Sequence, residues 1–190
     1  MKRLTLALTV LAATLASATT MLALDVTGLT YASDVVVRGT IVSVEPHWSG
    51  DNARIFTDAE VQVTEVWKGP STLKTLTAMQ PGGEIGDVGQ RVHGVATFAP
   101  GEEVVLFLEK RGPRFTITGM AQGKFRIEGG IASAAPDSEL ALLDPATHQP
   151  VSRPPLSMPL ETLKAQVKAA VLQAPVEPKN PKVPGTRVTP

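Results

Sequence analysis

Short β-branched stretches separated by Gly and Pro dominate the chain between residues 34 and 128. The clearest is 55–64, where Ile55, Thr57 and Ala59 alternate with polar residues, as in a strand with one buried and one wet face. Gly and Pro, 16 of each in the 190 residues, repeatedly interrupt the chain. This spacing predicts about six or seven short strands in a small antiparallel barrel or sandwich.

The first of these stretches changes its apolar phase at Gly39. Val35 and Val37 precede the change on one parity, whereas Val42 and Val44 follow it on the other. A glycine tolerates extra twist and leaves room for close backbone approach. We therefore expect a β-bulge or a sharp bend at this position.

Later stretches continue the strand pattern with differing clarity. The run 103–109 is apolar on both faces, which is typical of a central strand. Residues 83–90 are rich in Gly and are expected to form an irregular loop. The other strands are expected at 73–80, 91–98, 115–118 and 124–128.

Residues 1–23 have the three-part pattern of a secretory signal peptide. Lys2 and Arg3 precede an uncharged run, and cleavage is expected after Ala18 or after Ala23. An uncleaved membrane anchor is the alternative, but Thr and Ser dilute the apolar run. We expect an exported protein, periplasmic or extracellular, with no stable membrane span after cleavage.

The residue counts exclude several classes of function. The chain has no Cys, so it has no disulfides, thiolate nucleophiles or Cys-linked lipid. It has 18 Lys+Arg and 18 Asp+Glu, and loss of the leader's two basic residues leaves a slight acidic excess. Nucleic acid is therefore not an expected partner. The three His form no ligand motif, and we expect no metal site and no cofactor.

The C-terminal third changes character. Residues 129–158 are Pro-rich and predict a loosely packed arm, and the Pro-rich segment 175–190 predicts a disordered tail. Between them, 159–174 carries Leu160 and Leu163 at helical spacing. We expect an amphipathic helix that covers an open end of the barrel, with binding of a partner or a membrane as the alternative.

Contact residues are expected in two loops, 46–54 and 82–90. The second loop lacks the Gly-Lys-Ser/Thr sequence of a phosphate cradle, so it is either a connection or a surface that contacts a partner. The candidate binding residues are Trp48, Gly82, Gly83, Gly86, Asp87 and Gly89.

No catalytic constellation is evident. A Ser/His/Asp set can be written from Ser49, His93 and Asp87, but no Gly-x-Ser-x-Gly elbow or comparable context supports it. We therefore name no catalytic residue.

Two segments resemble a known family. Ser33–Gly39 (Ser-Asp-Val-Val-Val-Arg-Gly) and Val61–Pro70 (Val-Gln-Val-Thr-Glu-Val-Trp-Lys-Gly-Pro) resemble the opening of netrin-like domains and of tissue inhibitors of metalloproteinases. The resemblance implies an OB-fold barrel. Those inhibitors chelate zinc through an N-terminal Cys, which is missing here, so their mechanism is not implied. Gln80–Leu108 also resembles an uncharacterised family of exported bacterial proteins, which implies no activity.

Pattern and resemblance together predict a mainly β protein, with a small antiparallel OB-like β-barrel at 24–128 and one C-terminal amphipathic helix. The expected function is that of an exported, non-enzymatic binding module. Its partner is expected to be another exported or envelope protein. A purely structural envelope role and an exported hydrolase with an unrecognised site are the alternatives.

Overall fold

The computed structural model describes residues 19–134, 140–151 and 156–173, and it is mainly β, as predicted. Its helices are α1 (Val26–Ala32) and α2 (Leu160–Gln173), and a 3₁₀ turn spans Met120–Gly123. The strands are β1 (Thr19–Leu22), β2 (Val35–Trp48), β3 (Ile55–Lys68), β4 (Thr75–Pro81), β5 (Gly83–Ile85), β6 (Val88–Gln90), β7 (Glu103–Arg111), β8 (Arg114–Ile117), β9 (Lys124–Glu128), β10 (Ile131–Ala134), β11 (Leu140–Leu143), β12 (Pro150–Val151) and β13 (Leu156–Pro159).

Two predicted segments fall largely outside this description. The predicted tail, 175–190, and residues 1–18 of the predicted leader lie outside the described residues. Thr19–Leu22 belongs to the described part, where it forms β1, and Ala23 is buried.

The main sheet contains eight of the described strands, in the order β13, β10, β9, β7, β2, β3, β4, β8. β8 also pairs with β7. It meets β4 in parallel at one residue pair, Ala78 and Phe115. The pairings therefore run from β7 through β2, β3, β4 and β8 and return to β7. β1, β11 and β12 form a second sheet, and β5 and β6 form a hairpin.

The predicted central strand is confirmed in β7. All five residues from Val104 to Leu108 are fully buried. Val105 and Phe107 belong to one hydrophobic core, whereas Val104, Leu106 and Leu108 belong to the other. Because successive side chains of a strand point to opposite faces, β7 separates the two cores.

One core lies between the sheet and the helices, and the other lies among β2, β3, β4, β7 and β8. The predicted helix is found as α2, and its Leu163 and Val167 belong to the same hydrophobic core as Val36 and Phe107. α2 lies beside α1, β3, β10 and β13, on one face of the sheet. Its expected position over an open end of a barrel is therefore not observed.

The bulge predicted at Gly39 is confirmed. The register between β2 and β3 shifts at Arg38/Gly39, with further shifts at Val36/Val37 and Ile41/Ser43. A Cβ on Gly39 would lie 2.5 Å from the carbonyl oxygen of Gln62. The glycine is required here for close backbone approach.

The C-terminal helix is confirmed as α2, whereas α1, which precedes β2, was not predicted. Its seven residues are too few for a helical periodicity to show, and Gly28 weakens the helical propensity. Asp25 caps the helix by accepting a hydrogen bond from the Gly28 N–H at 2.7 Å. Val26 and Leu29 then bury their side chains in the core beneath α2.

The prediction of a loosely packed arm at 129–158 is wrong for the described residues of that range, which contain β10, β11, β12 and most of β13. Gly129 and Gly130, both with positive φ, turn the chain so that β10 pairs back on β9. Ala132 and Ala134 are buried there. β13 then pairs with β10 at the edge of the sheet, where Pro159 is tolerated.

Ion pairs connect α2 to the sheet. Glu65 accepts from Lys164 Nζ at 2.6 Å and from Arg38 at 2.9 Å, and Arg38 also contacts Glu103 at 2.6 Å. The Trp67 indole N–H donates to Glu65 at 3.2 Å. The hydrogen bonds, that from Lys164 most of all, lower the pKa of Glu65 to about 2. Glu65 therefore keeps its charge except in strong acid.

We predict that Gly39→Ala lowers the free energy of unfolding by about 1–3 kcal/mol, because the added methyl group overlaps backbone of β3. Gly50→Ala is the matched control, since a Cβ there meets no atom within 4 Å. Its effect should stay within about 0.5 kcal/mol. Denaturant unfolding measures both variants, and equal effects would contradict the close approach at Gly39.

Candidate functional site

The two loops expected to contact a partner lie against each other at one end of the sheet. Trp48 ends β2 and pairs with Ile55, the first residue of β3. The carbonyl oxygen of Ile55 accepts from the Gly82 N–H at 2.8 Å. The N–H of Ile55 donates to the Gln90 side chain at 2.8 Å. Ile55 therefore bonds directly to both ends of the glycine-rich segment and to the strand that carries Trp48.

The glycine-rich segment is a hairpin, so the expected irregular loop is wrong. β5 and β6 pair with Ile85 opposite Val88, which leaves Gly86 and Asp87 as a two-residue turn. Gly86 has φ 58°, as the first central position of such turns requires. The Gly-Asp pair between two apolar residues is the signal that identifies this hairpin in the sequence.

Gly82 and Gly83 hold the base of the hairpin against β3. The Thr57 hydroxyl donates to the Gly82 carbonyl at 2.7 Å. A Cβ on Gly83 would lie 2.6 Å from that hydroxyl and 3.1 Å from the Ile55 side chain. These two glycines are therefore packing positions, whereas Gly86, Asp87 and Gly89 lie further out on the hairpin.

The end formed by Trp48 and this hairpin, which we call the hairpin end, exposes apolar side chains. Trp48 is 38% exposed and Val88 is 49% exposed. Trp48 lies directly opposite Ile55, so both side chains project from one face of the strand pair. Gly83 of the hairpin contacts that same face through Ile55 and Pro46. Of the sequence-predicted residues, Trp48, Gly82 and Gly83 are thus brought together around Ile55, whereas Gly86, Asp87 and Gly89 lie further along the hairpin.

The loop between Trp48 and Ile55 is closed by its own hydrogen bonds. The Ser49 hydroxyl donates to Asp51 at 2.5 Å and accepts from the Arg54 N–H at 3.0 Å. The bond from Ser49 is the largest influence that lowers the pKa of Asp51. Ser49 is therefore a structural residue of the turn, and its hydroxyl is not paired with a histidine.

A polar cluster lies on the opposite face of β2 and β3 from Trp48. Asp58 lies 3.4 Å from His47 Nε2 and 2.8 Å from Arg114 Nε, and His47 stacks on Phe56. His47 Nε2 and Asp58 Oδ1 are buried without a hydrogen-bond partner. These residues lie on three different strands, so sequence spacing does not reveal the cluster.

A second feature, missed in the sequence, is a charged cleft of about 400 Å³ between β9 and the segment 91–100. Its charged lining consists of Arg91, Glu102, Lys124 and Arg126. Segment 91–98 contains no strand, so the short strand predicted there is wrong. The segment is held by single hydrogen bonds instead. Its Gly94 carbonyl accepts from the Ala121 N–H at 2.9 Å, and its Thr97 carbonyl accepts from the Lys124 ammonium.

The floor of this charged cleft is a nearly buried ion pair. Lys124 is 12% exposed and donates to Glu102, itself 8% exposed, at 2.7 Å. The Lys124 ammonium also donates to the Thr97 carbonyl and lies 5.0 Å from the centre of the Phe98 ring. Burial lowers the pKa of Lys124, and Glu102 partly opposes that effect.

Within the described ranges, no group of three or more His, Cys, Asp or Glu residues is placed to hold a metal ion. The described helices include none that is long and apolar enough to cross a bilayer. No family model matches the chain, and no curated protein matches it significantly.

We predict that Lys124→Met lowers the free energy of unfolding by about 3–5 kcal/mol, because it leaves the Glu102 carboxylate buried without its ammonium. Adding Glu102→Leu should recover most of that loss, since an apolar pair tolerates burial. Denaturant unfolding of the single and double variants measures the coupling.

The matched control is Arg111→Met, which breaks the exposed pair between Arg111 and Glu109. It should cost less than about 1 kcal/mol. A loss in Lys124→Met no larger than in this control would show that the variant does not leave a buried unpaired charge at Glu102, and it would contradict the prediction.

Proposed function

We propose that the chain is an exported, non-enzymatic binding module whose contact surface is the hairpin end. Its partner is another exported or envelope protein. The observation that carries the proposal is the joining of two separate loops through Ile55, with Trp48 exposed opposite Ile55 and Val88 exposed on the hairpin. Exposed aromatic and aliphatic side chains on a rigid support are typical anchors of protein interfaces.

The rigidity of the strands that carry these side chains supports this proposal. Trp48 and Val88 lie on paired strands, so little conformational entropy is lost when a partner covers them.

We also propose that the sheet curves into an OB-like barrel, as the resemblance to netrin-like domains implies. The return of the strand pairings to β7 supports this, and so does the hydrophobic core that β2, β3, β4, β7 and β8 share. The Ser33–Gly39 motif lies at the start of β2, and Val61–Pro70 covers the end of β3.

For the export leader, the position of β1 favours cleavage after Ala18. β1 pairs in parallel with β11, and the Ala23 N–H donates to the Leu143 carbonyl at 2.7 Å. The Gln122 side chain bonds to both sides of this junction, at the Leu22 carbonyl and the Leu24 N–H. Cleavage after Ala23 would remove a strand and a buried residue from the fold.

We predict that Trp48→Ser and Val88→Ser abolish capture of the partner when tagged mature protein is cross-linked and purified from the exported fraction of its host. Tyr31→Ser is the matched control, because Tyr31 is an aromatic residue of similar exposure, 43%, on α1. Mass spectrometry identifies the captured protein and quantifies it in each sample.

The proposal requires a difference among these variants. A protein lost from the two hairpin-end variants but retained by Tyr31→Ser supports the surface. Capture that is unchanged in Trp48→Ser and Val88→Ser, or equally reduced in all three, contradicts it.

We predict that N-terminal sequencing of the exported protein starts at Thr19, because β1 must stay in the mature chain. Ala18→Asp should accumulate unprocessed precursor, since a charged residue before the cleaved bond is not accepted. A mature protein that starts at Leu24 would show that β1 is dispensable and would contradict the prediction.

A further inference from the structure

We infer that an apolar cavity beside the charged cleft binds a small uncharged alcohol or phenol. This cavity, which we call the Gln80 cavity, has a volume of about 170 Å³, and its lining includes Met79, Gln80, Val95, Ala96, Ile117 and Met120. An apolar cavity of about 150 Å³ inside a protein accommodates benzene. The size of the Gln80 cavity therefore suits a molecule with one six-membered ring or an equally short alkyl chain.

The Gln80 cavity lies where the core shared by β2, β3, β4, β7 and β8 ends. Leu76 and Ala78 of β4 belong to that core, so Gln80, two residues further on, projects from the same face of the strand. Gln80 pairs with the buried Thr57 of β3. Ile117 of β8 packs against the same core. The cavity is therefore enclosed by strands whose positions the core already determines.

A buried acceptor in the lining selects the polar end of the ligand. The Gln80 amide oxygen is buried and has no hydrogen-bond partner among the described residues. Such an oxygen is unfavourable, because it has lost its hydrogen bonds to water. A hydroxyl group on a ligand donates the missing bond. The hydroxyl of Thr116, which also lines the cavity, both donates and accepts, so it imposes no preference of its own.

The rest of the lining selects the body of the ligand. Met79, Val95, Ile117 and Met120 are apolar, and the described lining contains no charged residue. A carboxylate or an ammonium group would therefore lose its hydration without gaining an ionic partner. Methionine side chains adapt to irregular shapes and make favourable contacts with the edge of an aromatic ring. These features favour a neutral ring or short alkyl chain that carries one hydroxyl group.

The backbone of Met120 supports a ligand site at this wall. Met120 has φ 57°, a left-handed conformation that is uncommon for a residue other than glycine. Strained residues of this kind cluster at ligand-binding sites, where the surrounding structure holds them in place.

The Gln80 cavity is independent of the proposed hairpin end, because neither Trp48 nor Val88 lines it. It is also distinct from the charged cleft. Val95 and Ala96 line both, so the segment 91–98 forms the wall between them. The test of the cavity needs no partner protein, so its failure and the failure of partner capture are distinguishable.

The test is a titration of the full mature protein with phenol and with toluene, followed by amide chemical-shift changes. The two ligands are of nearly the same size, but only phenol donates a hydrogen bond. We expect both to produce saturable changes that centre on Gln80, Ala96 and Ile117. Leu163 of α2, which belongs to the other core, should not shift.

A variant of Gln80 tests the hydrogen bond. Gln80→Met removes the acceptor and keeps an unbranched side chain of similar length. It should lower the ratio of phenol affinity to toluene affinity about tenfold, since the bond to the buried oxygen is lost. Gln62→Met is the matched control, because Gln62 is an exposed glutamine of β3 that does not line the cavity. It should leave the ratio unchanged.

Three outcomes would overturn the site. They are the absence of saturable shifts with either ligand, which would leave water as the partner of Gln80, shifts that centre away from the cavity, and an equal affinity ratio in Gln80→Met and Gln62→Met. The ratio compares two ligands on one variant, so a general loss of stability does not imitate the expected result. The thermal unfolding temperature of each variant is measured alongside.

Discussion

The structure depends on the burial of β7 on both of its faces. A strand that is apolar on both sides needs a layer of structure against each side, because either face would otherwise expose two or three apolar side chains to water. On one face the layer comes from α1, α2 and β9, which meet Val105 and Phe107. On the other it comes from β2, β3, β4 and β8, which surround Leu106. The pairing order of the sheet and the position of α2 both follow from this requirement.

Polar contacts then determine how these layers are aligned. Glu65 joins Lys164 of α2 to Arg38 of β2, so the helix is held at one place along the sheet. Lys124 performs a similar task for the segment 91–100, which has no strand partner and is held through the Thr97 carbonyl. The Glu65 contacts are half-buried, whereas the Lys124–Glu102 pair is nearly buried and carries the larger cost of desolvation.

Local sequence patterns predicted the elements that are determined by the residues within them. Alternation revealed β3, apolar character on both faces revealed β7, and the phase change at Gly39 revealed the bulge in β2. α1 was missed because seven residues with an internal Gly carry almost no periodic signal. The segment 91–98 was wrongly expected to be a strand, since its fixed position comes from contacts with Ala121 and with the side chain of Lys124.

The candidate surfaces divide in the same way. The sequence by itself determined which loops carry Trp48 and the glycines, because turn residues and an exposed aromatic are local features. Only the tertiary structure decided that Ile55 joins these loops, and that Arg91, Glu102, Lys124 and Arg126 line one cleft. The physical reason is strand register: residues far apart in the chain become neighbours only when the pairing of β7 with β9, and of β2 with β3, places them side by side.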